Sequence, residues 1–236
     1  MNVPTTWRYQ YIRQQIINAY NETKLNNFYQ FGVFTCRSMV DMAKMAQEGN
    51  MNIDKFYGFD SFEGLPDDQE NIYDIIRPYG CDWFKGQYSG AEWFGVNNAD
   101  EALVASRNLL ENFIPKDKLV LVKGYWENVL TDELFAEHKM GPALYIDVDG
   151  DIYSSAIAAM DFCCRNNILV PGTIVGYDDF GTPGFETFGS GESRCHKEMS
   201  IKYKLEWQQI FQIGNKSPHV QRVYKLLSRG SVCKYD

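Results

Sequence analysis

Between residues 28 and 180 short apolar runs alternate with stretches of helical periodicity, and this alternation restricts the fold more than any other feature of the chain. FYQFGVF (28–34), KFYGFDSF (55–62), KLVLVKG (118–124), ALYIDVD (143–149) and GTIVGYDDF (172–180) read as strands, rich in β-branched and aromatic residues. Helical patterns separate them. One starts at Ser38 as N-cap and runs to Gly49, and others cover 99–113, about 131–138, 153–165 and 192–207. WQQIFQIG and HVQRVYKLL, joined by Asn215-Lys216-Ser217, read as a closing hairpin. Successive strand–helix units build a mostly parallel sheet between two helical layers. The expectation is a doubly wound, Rossmann-like α/β fold: a seven-stranded sheet, mostly parallel, with a C-terminal antiparallel hairpin. A single domain over 1–236 accommodates it, with a covering helix at about 7–20. Residues 63–98 keep no steady period and are rich in Gly, Asp and aromatics, which reads as a lid inserted beside a site.

Composition narrows the function by exclusion. A formal net charge of -8, without a Lys/Arg run, opposes a nucleic-acid partner. No stretch reaches the ~20 apolar residues of a membrane span, and the first fifteen residues lack the apolar core of a signal peptide. The six cysteines show no CxxC spacing and read as reduced thiols. A cytoplasmic enzyme with no membrane partner is the expectation.

In doubly wound sheets ligands bind outside the carboxyl ends of the strands, near the point where strand order reverses, so the residues at those ends carry the argument. After the first strand Gly32 lets backbone approach a ligand, and the next helix offers free N–H groups. After the second, Asp60-Ser61 places an acid where a ribose is held in dinucleotide-binding folds, or where a turn is capped. The fourth strand ends in Asp147-Val148-Asp149-Gly150-Asp151 and the fifth in Asp178-Asp179. Carboxylates crowded at neighbouring strand ends repel unless a cation compensates. Oxygen donors without clustered Cys or His favour Mg²⁺, Mn²⁺ or Ca²⁺ over Zn²⁺.

Other motifs compete for these residues. Asp147-Val-Asp149-Gly-Asp151 opens like an EF-hand loop, but Ile152 replaces its glycine and Ala158 its closing glutamate. The Asp-Val-Asp-Gly of haloacid-dehalogenase-like phosphatases follows a first strand, not a fourth. A metal-dependent nucleotide-sugar glycosyltransferase using Asp147 and Asp149 is a stronger competitor, though it leaves Gly32 and Asp178-Asp179 unexplained. His138 and His219 read as surface residues, whereas His196 follows the fifth strand closely enough to be a candidate base.

Four segments, in order, are similar to the macrocin O-methyltransferase family of class I SAM-dependent methyltransferases. Tyr57-Gly58-Phe59-Asp60-Ser61-Phe62-Glu63-Gly64-Leu65-Pro66 resembles the signature at its second strand, and Val122-Lys123-Gly124-Tyr125-Trp126-Glu127-Asn128-Val129-Leu130 the segment after its third. Asp149-Gly150-Asp151-Ile152-Tyr153-Ser154-Ser155 resembles its fourth-strand motif, and Val170–Val175 running into Asp178-Asp179-Phe180-Gly181 its fifth strand. The resemblance implies S-adenosyl-L-methionine (SAM) as methyl donor, with Gly32 beside its methionine moiety and Asp60 on its ribose. The implied cofactor set is Gln30, Phe31, Gly32, Thr35 and Ser38 after the first strand, Asp60 and Ser61 after the second, and Gly124, Tyr125 and Trp126 after the third. Asp149, Asp178 and Asp179 would bind Mg²⁺ or another hard divalent cation that acidifies and orients an acceptor hydroxyl. Asp149 or His196 would serve as base. The chain departs from the family at Gln30, where an acid is usual, and at Cys36, where a glycine is expected. A degenerate SAM-fold binding protein is the non-enzymatic alternative that these departures motivate.

The expected acceptor is a small hydroxylated molecule, a sugar or glycosylated metabolite first. The lid aromatics Tyr73, Tyr79, Trp83, Phe84, Tyr88, Trp93 and Phe94 would stack on it, or else pack a homodimer interface.

Overall fold

A computed structural model describes residues 7–67, 83–181, 191–214 and 220–230. Seven strands form one sheet: β1 (Asn27–Phe31), β2 (Lys55–Asp60), β3 (Leu119–Lys123), β4 (Ala143–Val148), β5 (Ile174–Gly181), β6 (Leu205–Ile213) and β7 (Val220–Arg229). Their spatial order is β3-β2-β1-β4-β5-β7-β6. The first five pair in parallel, whereas β7 runs antiparallel to both β5 and β6. The order reverses between β1 and β4, which places the ligand crevice of such a sheet at their carboxyl ends.

Helices cover both faces. On one side α1 (Trp7–Thr23), α2 (Arg37–Glu48) and α4 (Ala99–Leu110) enclose Ile12, Ile16, Phe28, Val40, Phe56 and Tyr145. On the other α5 (Trp126–Val129), α7 (Tyr153–Arg165) and α8 (Gly191–Tyr203) enclose Tyr29, Phe31, Phe59, Ile146, Phe162 and Tyr177. Strands buried on both faces explain why β1, β2 and β4 read as nearly continuous apolar runs. Short α3 (Gly90–Phe94) and α6 (Asp132–Glu137) complete the described α-helices. No helix among the described residues is long and apolar enough to cross a membrane.

Caps set several boundaries. Asn98 accepts the Glu101 N–H at 3.0 Å while Glu101 accepts the Asn97 N–H at 3.0 Å, a reciprocal cap that starts α4. Thr131 caps α6 through the Leu134 N–H at 3.2 Å. The expected N-cap at Ser38 is corrected: α2 begins at Arg37 and Ser38 lies in its first turn. The N-cap is Cys36, in the left-handed region at φ 64° with no capping side chain. Glycine occupies such a conformation without strain, so a glycine, expected at this position, would meet the same backbone requirement at lower cost.

The lid expectation falls partly outside the described residues, which omit 68–82. Its described ends are tied together: Leu65 N–H donates to Gln87 O at 2.8 Å and Gly86 N–H to Leu65 O at 2.9 Å. Gly64 at φ 91° allows this closeness, since a Cβ there would lie 2.4 Å from the carbonyl oxygens of Gly86 and Gln87. Trp83 is buried, while Phe84 and Trp93 are exposed. Tyr73 and Tyr79 lie outside the described residues.

Candidate active site

A cavity of about 520 Å³ opens at the carboxyl ends of β1, β2, β4 and β5, within the size range of small-molecule sites. Gly32, Phe34, Asp60, Ser61, Tyr125 and Trp126 line one half. Asp149, Asp151, Asp178, Asp179 and Gln221 line the other. Gly64, Leu65, Pro66 and Tyr88 bring the base of the lid against it. Tyr88 is the only described aromatic of the 63–98 segment that does so.

The first half is built by hydrogen bonds to one carboxylate. Asp60 Oδ2 accepts the N–H groups of Val33 at 2.7 Å and Phe34 at 2.9 Å, and Oδ1 accepts that of Phe62 at 2.6 Å. Asp60 therefore ties the β1 turn to the β2 turn. Burial pushes its pKa up, and the N–H groups of Phe34, Phe62 and Val33 oppose that shift. Gly32 stands at φ 93°, and a Cβ there would sit 2.1 Å from the Asp149 carbonyl oxygen. The sequence offered a ligand as the reason for this glycine. The contact that forbids a side chain is instead the neighbouring strand end, which Asp149 N–H ties to Phe31 O at 2.9 Å.

The remaining expected cofactor residues divide. Gln30 is fully buried, donates to Gly32 O at 2.8 Å and leaves its carbonyl oxygen without a partner. Phe31 does not line the cavity: its ring is fully buried, stacked 4.7 Å from Phe59 and edge-on to Trp126 at 5.6 Å. Thr35 and Ser38 do not line it either, and Thr35 Oγ1 accepts the Arg37 N–H at 3.4 Å. Gly124 shapes the turn after β3 rather than the cavity wall: at φ 144°, a Cβ would meet Val129 at 2.4 Å. Tyr125 and Trp126, which follow it, do reach the cavity.

The second half concentrates negative charge. One oxygen from each of Asp149, Asp178 and Asp179 lies within 4.8 Å of the others. Adjacent residues on a regular strand face opposite sides, so Asp178 and Asp179 need an irregularity to meet. The β5–β7 register shifts between Tyr177 and Gly181, and such a bulge re-aims side chains. Burial raises the pKa of Asp149, as do Asp178, Asp151, Asp179 and Asp147. Asp151, in a left-handed conformation at φ 56°, is raised by burial and then by Asp179 and Asp178. All-carboxylate donors at this separation suit a hard divalent cation, so the residues fit the metal that the sequence suggested.

Three supporting residues come from segments the motifs did not mark. Glu192 of α8 is fully buried and accepts the Asp179 N–H at 2.9 Å and the Gly150 N–H at 3.3 Å, joining the two acidic strand ends. Arg8 of α1 is 1% exposed and forms ion pairs with Asp147 at 2.8 Å and Asp178 at 2.9 Å. Gln221 of β7 donates to Asp178 Oδ1 at 2.5 Å.

Two expectations are corrected here. Asp147 does not join Asp149 in the cavity: it is fully buried and bound by Arg8 as well as by the hydroxyls of Tyr9 and Tyr145, each at 2.9 Å. His196 does not line the cavity. Its ring stacks on Tyr224 at 4.2 Å and lies 5.0 Å from Trp207, with Nδ1 3.3 Å from Tyr177 Oη. Burial, with a contribution from Arg222, pulls its pKa down to about 3, so it is a neutral packing residue. Proximity in sequence to β5 did not reveal which face of α8 it occupies.

The strand order is that of a Rossmann-like doubly wound sheet closed by an antiparallel hairpin, a fold that solved methyltransferase structures share. The O-methyltransferase NovP aligns with a TM-score of 0.65 at 16% identity, covering 94% of this chain and 80% of its own. CalS11, a calicheamicin methyltransferase, aligns at 0.59 with 19% identity, covering 89% and 76%. TomG from Streptomyces achromogenes, an O-methyltransferase involved in tomaymycin synthesis solved with SAM, aligns at 0.52 with 9% identity, covering 96% and 83%. No family model matches the sequence, and no curated protein is significantly similar to it.

Proposed function

We propose that this chain is a SAM- and divalent-metal-dependent O-methyltransferase acting on a hydroxyl of a small acceptor. The observation that carries this reading is the juxtaposition, in one cavity, of the Gly32–Asp60–Trp126 half with the Asp149–Asp178–Asp179 half. When bound, SAM would supply an electrophilic methyl group and the cation would supply Lewis acidity toward an acceptor oxygen.

The chain's own residues divide the work. Asp60 holds the β1 and β2 turns in place for the cofactor, and the accepting capacity its three N–H bonds leave over serves a ribose hydroxyl. Gln30, fully buried and outside the cavity lining, acts behind Gly32: its amide donates to Gly32 O and shapes the turn that would hold the methionine moiety. Tyr125 and Trp126 offer aromatic surface to an adenine. Asp149, Asp178 and Asp179 hold the cation, and the Asp149 carboxylate takes the hydroxyl proton. The lid base at Leu65, Pro66 and Tyr88 excludes water from the reacting centre.

A sugar is the first acceptor to test, because CalS11 is described as a TDP-rhamnose 3'-O-methyltransferase and shares this fold at a TM-score of 0.53. The glycosyltransferase reading is weaker, since Asp147 is consumed by Arg8, Tyr9 and Tyr145. Transfer from methyl-labelled SAM, with Mg²⁺, to a panel of nucleotide-sugars, glycosides and phenols tests the proposal. Label should appear in a hydroxylated small molecule and vanish on chelation. Turnover of a UDP-sugar donor without methyl transfer would replace it with the competing reading.

A further inference from the structure

The three clustered aspartates are anchored to different extents. Asp149 hangs from a backbone tied to β1 through its own N–H and Phe31 O. Asp179 hangs from a backbone tied to α8 through Glu192. Asp178 lies on the bulge of β5, where ladder pairing with β7 lapses between Tyr177 and Gly181. Its carboxylate is gripped instead through its side chain. Oδ1 accepts from Gln221 Nε2 at 2.5 Å and lies 2.9 Å from Arg8 Nη1.

Both gripping groups are themselves fixed. Arg8 is held at Nη2 by both carboxylate oxygens of Asp147, and Asp147 by Tyr9 and Tyr145, so its position is set from inside the core. Gln221 is set by β7, whose next residue, Arg222, pairs with Tyr177. Its own carbonyl oxygen is buried without a hydrogen-bond partner. Burying an unpartnered acceptor is unfavourable, so satisfaction of the Gln221 amide does not account for its place. Its donor end, on Asp178, does.

We infer that Gln221 and Arg8 are positioning residues that lock the Asp178 carboxylate beside Asp149 and Asp179 for capture of a divalent cation, an inference that rests on the metal reading of that cluster. Repulsion among three close carboxylates favours their separation before a cation arrives. The Gln221 donor and the Arg8 charge, both at one oxygen, oppose that separation. Groups that orient metal-bound carboxylates in this way typically contribute 10–100-fold to metal affinity.

Mn²⁺ titrated calorimetrically into the full chain, with S-adenosylhomocysteine titrated in parallel and Tm recorded, tests the inference. Gln221→Leu keeps much of the volume but removes the donor. It should weaken Mn²⁺ about 10–100-fold, with Tm and S-adenosylhomocysteine affinity essentially unchanged. Arg8→Lys keeps the charge that Asp147 requires while losing the fork that reaches Asp178, and should shift in the same direction. Equal Mn²⁺ affinity in wild type and both variants would overturn the positioning role and leave the metal site standing. Parallel losses in Mn²⁺ affinity, S-adenosylhomocysteine affinity and Tm would show a general structural role and overturn it too. A wild-type chain that takes up no Mn²⁺ would remove the metal reading itself, and the inference with it.

Discussion

Two halves of one cavity contain buried acids, and they solve the problem of burial in opposite ways. At the β1–β2 end Asp60 is satisfied by the protein: three backbone N–H groups surround its carboxylate. At the β4–β5 end Asp149 and Asp151 lie among like charges that add to the effect of burial. The first arrangement is complete and shapes a turn. The second leaves like charges crowded together, which is the repulsion that the proposed cation would offset. Removing an acid should therefore destabilise one end and relieve the other.

Asp149→Asn gives the largest expected effect. Methyl transfer should fall by about 10²–10⁴-fold, the range for losing a positioned proton acceptor, in a steady-state assay. In the same variant without added metal, Tm should rise, because a neutral side chain replaces one that the folded state disfavours when charged. A fall in Tm would contradict the electrostatic account of that end.

Asp60→Ala is the opposing case. Three N–H groups lose their acceptor, and water reaching the cavity recovers only part, so unfolding in urea should show a loss of about 3 kcal/mol. An unchanged midpoint would mean that the turn does not depend on this carboxylate.

The third expectation concerns His196, behind the acidic half. Its pKa is lowered in the folded state to about 3 from an ordinary value near 6.5, so the unfolded chain binds the proton more readily. Its contribution is complete above about pH 6.5 and is lost progressively as pH falls toward 3. Between pH 6.5 and 5 that loss is about 2 kcal/mol. His196→Phe should flatten the stability–pH curve across this window by that amount and leave the pH profile of methyl transfer unmoved. A shifted activity profile would restore His196 as the base.

The smallest change should follow Cys36→Gly. Release from a left-handed conformation and loss of a buried thiol each amount to about 1 kcal/mol with opposite signs, so the Tm of this variant should stay close to wild type.

The same contrast governs how much was legible in sequence. The sheet, its hairpin and the acid clusters were readable because strand-end motifs are local: Asp149 and Asp178-Asp179 each follow an apolar run directly. Gly32 was readable as a special position, although the atom that requires it, the Asp149 carbonyl, belongs to a strand over a hundred residues away. Arg8, Glu192 and Gln221 were not readable. Each reaches the site through tertiary packing of α1, α8 or β7, and nothing adjacent to them in sequence marks a site. Asp147 and Asp149 stand two apart, a spacing that puts strand residues on one face, but Arg8 and two tyrosines claim the first and leave the second to the cavity.

The most direct test of the central claim is a calorimetric titration of the full chain with SAM, repeated with a UDP-sugar, each with and without Mg²⁺. The account expects one SAM per chain, binding that Asp60→Ala weakens and that does not require Mg²⁺, and no heat from the UDP-sugar. Metal-dependent UDP-sugar binding with no response to SAM would contradict it.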